Sequence, residues 1–219
     1  MIEEYSDGKT NQTLKKPFRR IGPLDAYIYK ERCDEEDMKE TQENMGVHLE
    51  GTKEKTIHIF TDGACTNNGR PSANAAWGVL LVSDLGYIVL DRFSGAVPIS
   101  EPQTNQRAEL RALLQGITVA ETQIKNDPSI KRVQVWSDSQ YSIHCASVWG
   151  PKWKSNGWKK PGGPIQHLDL IELLVLGTQR LGMTLEYKWL KGHKGGESQY
   201  AFPWVFNHQV DALATGALR

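Results

Sequence analysis

Little in these 219 residues could cross-link the chain. The three cysteines, Cys33, Cys65 and Cys145, are far apart, odd in number and without metal-type spacing. That excludes a disulfide framework or a zinc ribbon and fits a reducing compartment. No apolar run approaches the roughly 18 residues a membrane span needs, so no membrane association is expected. The start, MIEEYSDG, is acidic and lacks an apolar h-region, so neither a secretory signal nor an Arg-rich transit peptide is visible. An intracellular location, cytoplasmic or nuclear, is the expectation. Internal repeats and low-complexity tracts are missing too. What remains is of globular type, with 39% hydrophobic and 24% charged residues, which argues against wholesale disorder, collagen or coiled coil. The length allows one good domain plus an appendage.

Formal net charge is zero, but its distribution is uneven. Residues 1–50 hold 8 Lys+Arg against 12 Asp+Glu, and residues 51–219 hold 18 against 14. The second segment is therefore basic by four charges, a mild hint of a polyanionic partner. Residues 1–54 are polar, carry the acidic stretch Cys33-Asp34-Glu35-Glu36-Asp37 and offer little to bury. They read as an acidic, largely disordered tail with room for a short helix around Leu24–Lys39. Residues 55–219 read as the folded domain.

Within that domain Thr56–Thr61 (T-I-H-I-F-T) alternates like a strand and ends in Asp62-Gly63. Ala76–Val82 and Tyr87–Phe93 look like two strands joined across Ser83-Asp84-Leu85-Gly86. Leu110, Leu113, Leu114, Ile117, Ala120 and Ile124 recur at helical spacing, with Thr104 or Asn105 as cap and Asp127-Pro128 as stop. Val133–Ser137 is a further strand that runs into Asp138. Ser139–Val148 and Leu168–Leu181 read as helices, Thr184–Leu190 as a strand and Asn207–Leu218 as a closing helix. The order β-β-β-α-β-α-α-β-α predicts an α/β domain with a mixed sheet.

A strand, a crossover helix and a second strand in one sheet normally give parallel neighbours. If the first strand and the Val133 strand are such neighbours, Asp62 and Asp138 meet at the carboxyl edge of the sheet, where open α/β sheets bind ligands. Two carboxylates so close require a cation or a shared proton, and hard oxygen ligands suit Mg²⁺ or Mn²⁺ better than zinc. Glu109, one turn into the long helix, could reach the same edge, and Asp211 is a fourth candidate.

Six strings, in order, resemble the ribonuclease H family in its type 1 branch: IFTDGAC (59–65), QTNQRAEL (103–110), WSDSQY (136–141), WGPKWKSNGWKK (149–160), KWLKGHKGG (188–196) and NHQVDALA (207–214). The resemblance covers residues 57–219 and implies a ribonuclease H-like mixed five-stranded sheet flanked by helices. It further implies that Asp62, Glu109, Asp138 and Asp211 hold two Mg²⁺ ions, with Mn²⁺ a plausible substitute, and that His193 is the mobile histidine near the site. Asn68, Asn105 and Gln140 match positions that contact the RNA strand in the minor groove. Thr104 matches a DNA-phosphate contact, and Tyr141 and Trp153 match positions lining the DNA-strand channel. Residues 149–166 combine Trp149, Trp153 and Trp158 with Lys152, Lys154, Lys159 and Lys160 and contain no acid. This segment resembles the basic protrusion of cellular type 1 enzymes, with lysines for phosphate affinity.

The implied activity is hydrolysis of the RNA strand of RNA/DNA hybrids by a two-metal-ion endonuclease, acting as a monomer without strong sequence preference. The competing reading is a non-catalytic module that binds hybrid or double-stranded RNA, and a retroelement polyprotein domain is a third. The methionine start and the separate tail favour a stand-alone protein. His58, His144, His167 and His208 are expected to be structural, Trp149 and Trp158 to pack in the core, and Cys65 to be a buried small hydrophobe. Two departures stand out: residues Glu197–Phe206 form an insertion between His193 and Asp211, and Pro102 stands where some relatives carry an arginine. Residues 1–54 do not resemble the hybrid-binding domain often found ahead of this one.

Overall fold

The computed structural model describes residues 54–192 and 200–218. The expected tail, apart from Glu54, lies outside these residues, as do His193 and the first three positions of the insertion. Five strands form one sheet in the order β3-β2-β1-β4-β5. They are β1 (Lys55–Thr66), β2 (Asn74–Ser83), β3 (Val89–Ala96), β4 (Ile130–Ser137) and β5 (Leu185–Trp189). β1, β2 and β3 pair antiparallel, whereas β4 runs parallel to both β1 and β5.

The helices are α1 (Asn105–Asn126), α2 (Gln140–His144), α3 (Gly150–Ser155), α4 (Leu168–Leu181) and α5 (Trp204–Gly216). No helix among the described residues is long and apolar enough to cross a membrane.

The alternation in T-I-H-I-F-T assigns one residue set to each face of the sheet. Ile57 and Ile59 face the larger core with Val133, Val135, Leu113, Ile117 and Leu174. Phe60 faces a smaller core with Leu80, Val82, Phe206 and Val210 of α5. Helices cover both faces, so Ile57 to Asp62 are buried without a break. Each such apolar side chain contributes roughly 1.5–3 kcal/mol on leaving water.

α1 starts where the Thr104 hydroxyl accepts from Arg107 N at 3.2 Å, and its Asp127 C-cap precedes Pro128. Buried Arg107 ties α1 to α4, donating from Nη1 and Nη2 to Asp169 at 3.0 and 2.5 Å and from Nε to Glu101 at 2.6 Å. Such a forked, charge-assisted pair sets direction as well as energy.

Several boundaries differ from the sequence reading, four of them for reasons the structure shows. β1 does not end at Asp62-Gly63: it runs to Thr66, because Gly63 to Thr66 still pair with β2 (Gly63↔Trp77 to Thr66↔Asn74). β3 sits later than expected, Tyr87 having a positive φ of 50° in the turn. The helix expected to stop at Val148 passes through a π-helical turn (Cys145–Trp149) into α3. There Gly150 N bonds back to Cys145 O, and the wider turn accommodates Pro151, which has no N–H to give. α5 begins at Trp204, three residues before the expected start.

Candidate active site and substrate groove

The last β1–β4 rung pairs Phe60 with Trp136. Asp62 and Asp138 each lie two residues further on, so equal stagger carries them to the same edge. The Thr61 hydroxyl donates to Trp136 O at 3.3 Å across the point where the strands part. Asp62 remains paired with β2, opposite Gly78, and Gly63 N donates to its Oδ1 at 2.9 Å, fixing the carboxylate rotamer. Asp138 has left its strand, and the Trp189 indole N–H holds its carbonyl at 3.0 Å. Gly192 lies against its side chain so closely that a Cβ there would stand 2.2 Å from Oδ2.

Glu109 arrives from α1. Gly63 allows this, since a Cβ at that position would fall 2.3 Å from Glu109 N and 2.5 Å from the Ala108 carbonyl carbon. One carboxylate oxygen from each of Asp62, Glu109 and Asp138 lies within 4.8 Å of the others. Asp62 and Glu109 are buried and Asp138 is half-buried. Asp211, projecting from α5, lines the same open cleft of about 580 Å³ with Asn105 and Ser139.

Burial first, then the Asp138 and Asp211 charges, push the Asp62 carboxyl well above the ordinary carboxylate range. Burial, then Asp62 and Asp138, do the same to Glu109. Glu109 Oε2 is buried without a hydrogen-bond partner. An orphaned buried acceptor among like charges is costly unless a cation or proton is present. Clustered hard oxygens fit a Mg²⁺ or Mn²⁺ class of ion.

A second concavity, about 680 Å³, is lined by Tyr141, Trp149, Trp153, Lys152, Lys159 and Lys160. The Trp149 and Trp153 ring centroids are 6.1 Å apart, and Lys160 Nζ lies 6.0 Å from the Trp153 ring. Trp158 packs against the core as expected. Trp149 does not: it is exposed and forms part of the groove wall. Positions 149, 152 and 153 share one face once the helix runs on to Ser155, a spacing that the expected stop at Val148 concealed.

Lys154 stands apart from this groove, its Nζ donating to Gln179 at 2.7 Å. Asn68 and Asn105 adjoin, the Asn68 Oδ1 accepting from Asn105 N at 3.3 Å, while Gln140 is exposed at the start of α2. Cys65 is half-buried rather than buried, its thiol near Asn68 Oδ1 and Gln103 O. His58 is buried between Asp84 and Trp136. Sequence reasoning missed Gln103, whose amide accepts from Ala75 N and donates to Pro98 O, pinning the approach to Thr104.

The RNase H family model matches residues 54–219. The chain belongs to the RNase H family. A curated relative from Rattus norvegicus, "Ribonuclease H1", is 33% identical over 162 residues, 73% of this chain and 49% of that protein. "Ribonuclease H" of Dechloromonas aromatica is also 33% identical, over 164 residues, 74% of this chain and 93% of that one. The chain thus spans about half the length of the mammalian relatives it matches and nearly all of the bacterial ones. Among solved structures, the "PFV RNase H domain" shares the fold at 24% identity, with a TM-score of 0.61 over 75% of this chain and 94% of that one. A five-stranded mixed sheet flanked by helices is the ribonuclease H-like architecture, and the carboxylates sit at its open edge. The expected His193 lies outside the described residues.

Proposed function

We propose that this ribonuclease H family member is an endonuclease that hydrolyses the RNA strand of RNA/DNA hybrids, with Asp62, Glu109, Asp138 and Asp211 holding two Mg²⁺ ions. The supporting observation is that carboxylates from β1, α1 and the end of β4 converge within 4.8 Å at the end of a sheet whose neighbouring groove carries lysines and no acid. Two divalent cations bound in such a site supply an activated water for in-line attack and neutralise the departing 3′ oxygen.

The chain's own residues do the rest. The Gly63 N–H and the Trp189 indole hold the Asp62 side chain and the Asp138 main chain in place before substrate arrives. Lys152, Lys159 and Lys160 take phosphates of the uncut strand, and Trp153 offers a face to its sugars. Asn105, Asn68 and Gln140 face the RNA strand, whose 2′-hydroxyl both donates and accepts. Asn68 has committed its oxygen to Asn105 N, so its NH₂ is what it gives to that hydroxyl. Thr104 caps α1 through its oxygen and keeps its O–H to donate to a phosphate.

A labelled hybrid incubated with protein and Mg²⁺ tests the proposal. The RNA strand should be cut internally, and Asp62→Asn or Asp138→Asn should reduce the rate at least about a thousand-fold with hybrid binding retained. Equal cutting of plain DNA duplex, or wild-type rates in either variant, would refute it.

A further inference from the structure

The insertion ahead of α5 carries an aromatic ring that the proposed chemistry does not use. Phe202 lies two residues before α5, among rings from four other parts of the chain. It stacks on Tyr87 of the β2–β3 turn at 4.2 Å and 24°. It meets His58 of β1 edge-on at 5.2 Å and Trp136 of β4 edge-on at 5.3 Å. Phe60 and Phe206 stand 6.0 and 6.2 Å away. Offset and edge-on pairs of this kind attract beyond what their buried area gives.

The socket is itself fixed. Trp136 Nε1–H donates to His58 Nδ1 at 3.3 Å, so His58 carries its proton on Nε2 and gives it to Asp84 at 3.1 Å.

From this socket α5 runs along the sheet, burying Phe206 and Val210, and presents Asp211 nine residues after Phe202. At about 1.5 Å per helical residue, Asp211 sits roughly 10–13 Å along the axis from the socket. Besides these core side chains, α5 touches Gly78 of β2, where a Cβ would fall 2.9 Å from Val210 O and Ala214 N. A smooth backbone contact against glycine fixes the distance between helix and sheet but resists sliding poorly. A ring wedged among five others resists sliding well.

We infer that Phe202 is a positioning residue: seated between Tyr87, His58 and Trp136, it sets the axial register of α5 and so holds Asp211 beside Asp62. The inference rests on the reading of the four carboxylates as a metal site.

The test uses the full chain, with Phe202→Ala, Phe202→Leu, Asp211→Asn and the combinations, titrated with Mn²⁺ by calorimetry and assayed for hybrid cleavage. Phe202→Ala should weaken Mn²⁺ binding about ten-fold, the range for residues that orient metal ligands. It should lower kcat with the KM for hybrid unchanged, since the lysine groove lies elsewhere, and Phe202→Leu should fall between. In an Asp211→Asn background Phe202→Ala should cost no further Mn²⁺ affinity, because coupled positions are not additive. If Phe202→Ala does not fold, Tyr87→Ala, which removes the stacking partner from a surface turn, should give the same pattern. Wild-type Mn²⁺ affinity in the folded variants, or a loss that adds in full to that of Asp211→Asn, would overturn the inference alone. A wild-type protein that binds no Mn²⁺ would overturn the metal-site reading together with it.

Discussion

A single methyl group at residue 63 should damage both stability and activity, by amounts the packing sets. Built on Gly63, a Cβ would stand 2.3 Å from Glu109 N, 2.5 Å from the Ala108 carbonyl carbon and 2.8 Å from the Glu109 Cα. All three are main-chain atoms in a hydrogen-bonded helix, so no side chain can swing aside. Ordinary contact begins near 3.4 Å, so α1 must retreat by about 1 Å. Overpacking of this kind costs about 1–3 kcal/mol, and each kcal/mol moves the midpoint about 2–4 °C in a domain of this size. Gly63→Ala should therefore melt roughly 2–12 °C early. The same retreat widens the gap between Asp62 and Glu109, and a misplacement of about 1 Å can cost on the order of 100-fold in rate.

Gly69→Ala is the matched control. It has a φ of +81° and open space within 4 Å, so it should lose about 1–2 kcal/mol through left-handed backbone alone and cut normally. Thermal melts and single-turnover cleavage, well below both midpoints, separate the two. A Gly63→Ala protein that cuts hybrid at the wild-type rate would refute the claim that this close approach sets the carboxylate pair.

Two further outcomes follow from charge. In chelator, folded Asp62 and Glu109 hold protons more tightly than the unfolded chain, because burial and neighbouring carboxylates raise them. Their contribution is full below the ordinary carboxylate pKa, about 4, and is lost as pH rises through the raised values. Glu101 and Asp169 act in the opposite window. Burial works against Glu101, but Arg111 and Arg107 hold its carboxyl low, and Arg107 does so for Asp169. Stability from these two is therefore lost as pH falls through the lowered values. Melting points in EDTA should peak in weak acid and decline toward neutrality, Mg²⁺ should abolish the decline, and Asp62→Asn should flatten it; an unaltered decline in that variant contradicts the assignment. For the groove, Lys159→Ala and Lys160→Ala should each raise KM at low salt and reduce the salt slope of binding by about one, with kcat intact. Lys154→Ala, aimed at Gln179, should do neither, and an effect equal to that of Lys159→Ala would remove the groove from the substrate path.

Much of the fold was legible because its signals are local. The alternation in T-I-H-I-F-T, the helical recurrence from Leu110 to Ile124 and the Asp127-Pro128 stop each describe a few neighbouring residues, and the observed β1, α1 and β4 follow them. The misplacements come from partners distant in sequence. The first strand reads as ending in Asp62-Gly63, yet β2 pairs with Gly63 to Thr66 residue by residue. Gly150-Pro151 looks like a break, yet the π turn carries the helix past it into α3. Arg107, which the sequence shows only as one letter of QTNQRAEL, spends its guanidinium on Glu101 and Asp169, a pairing that no spacing within α1 reveals.

The site was legible to the extent that topology alone determines it. Parallel neighbours joined through α1 must end at one edge, and this rule brings Asp62 to Asp138 without knowledge of any side-chain contact. The unequal support of the two aspartates lay beyond such a rule. Because β1 continues along β2 after parting from β4, Asp62 is held within a ladder by bonds on one side of its strand. Beyond Ser137↔Trp189 Asp138 lies between strand and helix, where the Trp189 indole holds its carbonyl, Gly192 abuts its side chain and Ser139, the α2 N-cap, donates its N–H to Ser137 Oγ. The Trp189 and Gly192 contacts come from β5 and the chain just after it. A displacement of that segment would reach Asp138 directly while leaving Asp62 and Glu109 clamped against each other through Gly63. Asp62 and Glu109 are thus set by the sheet and α1, whereas Asp138 takes contacts from the C-terminal quarter of the chain and Asp211 belongs to it.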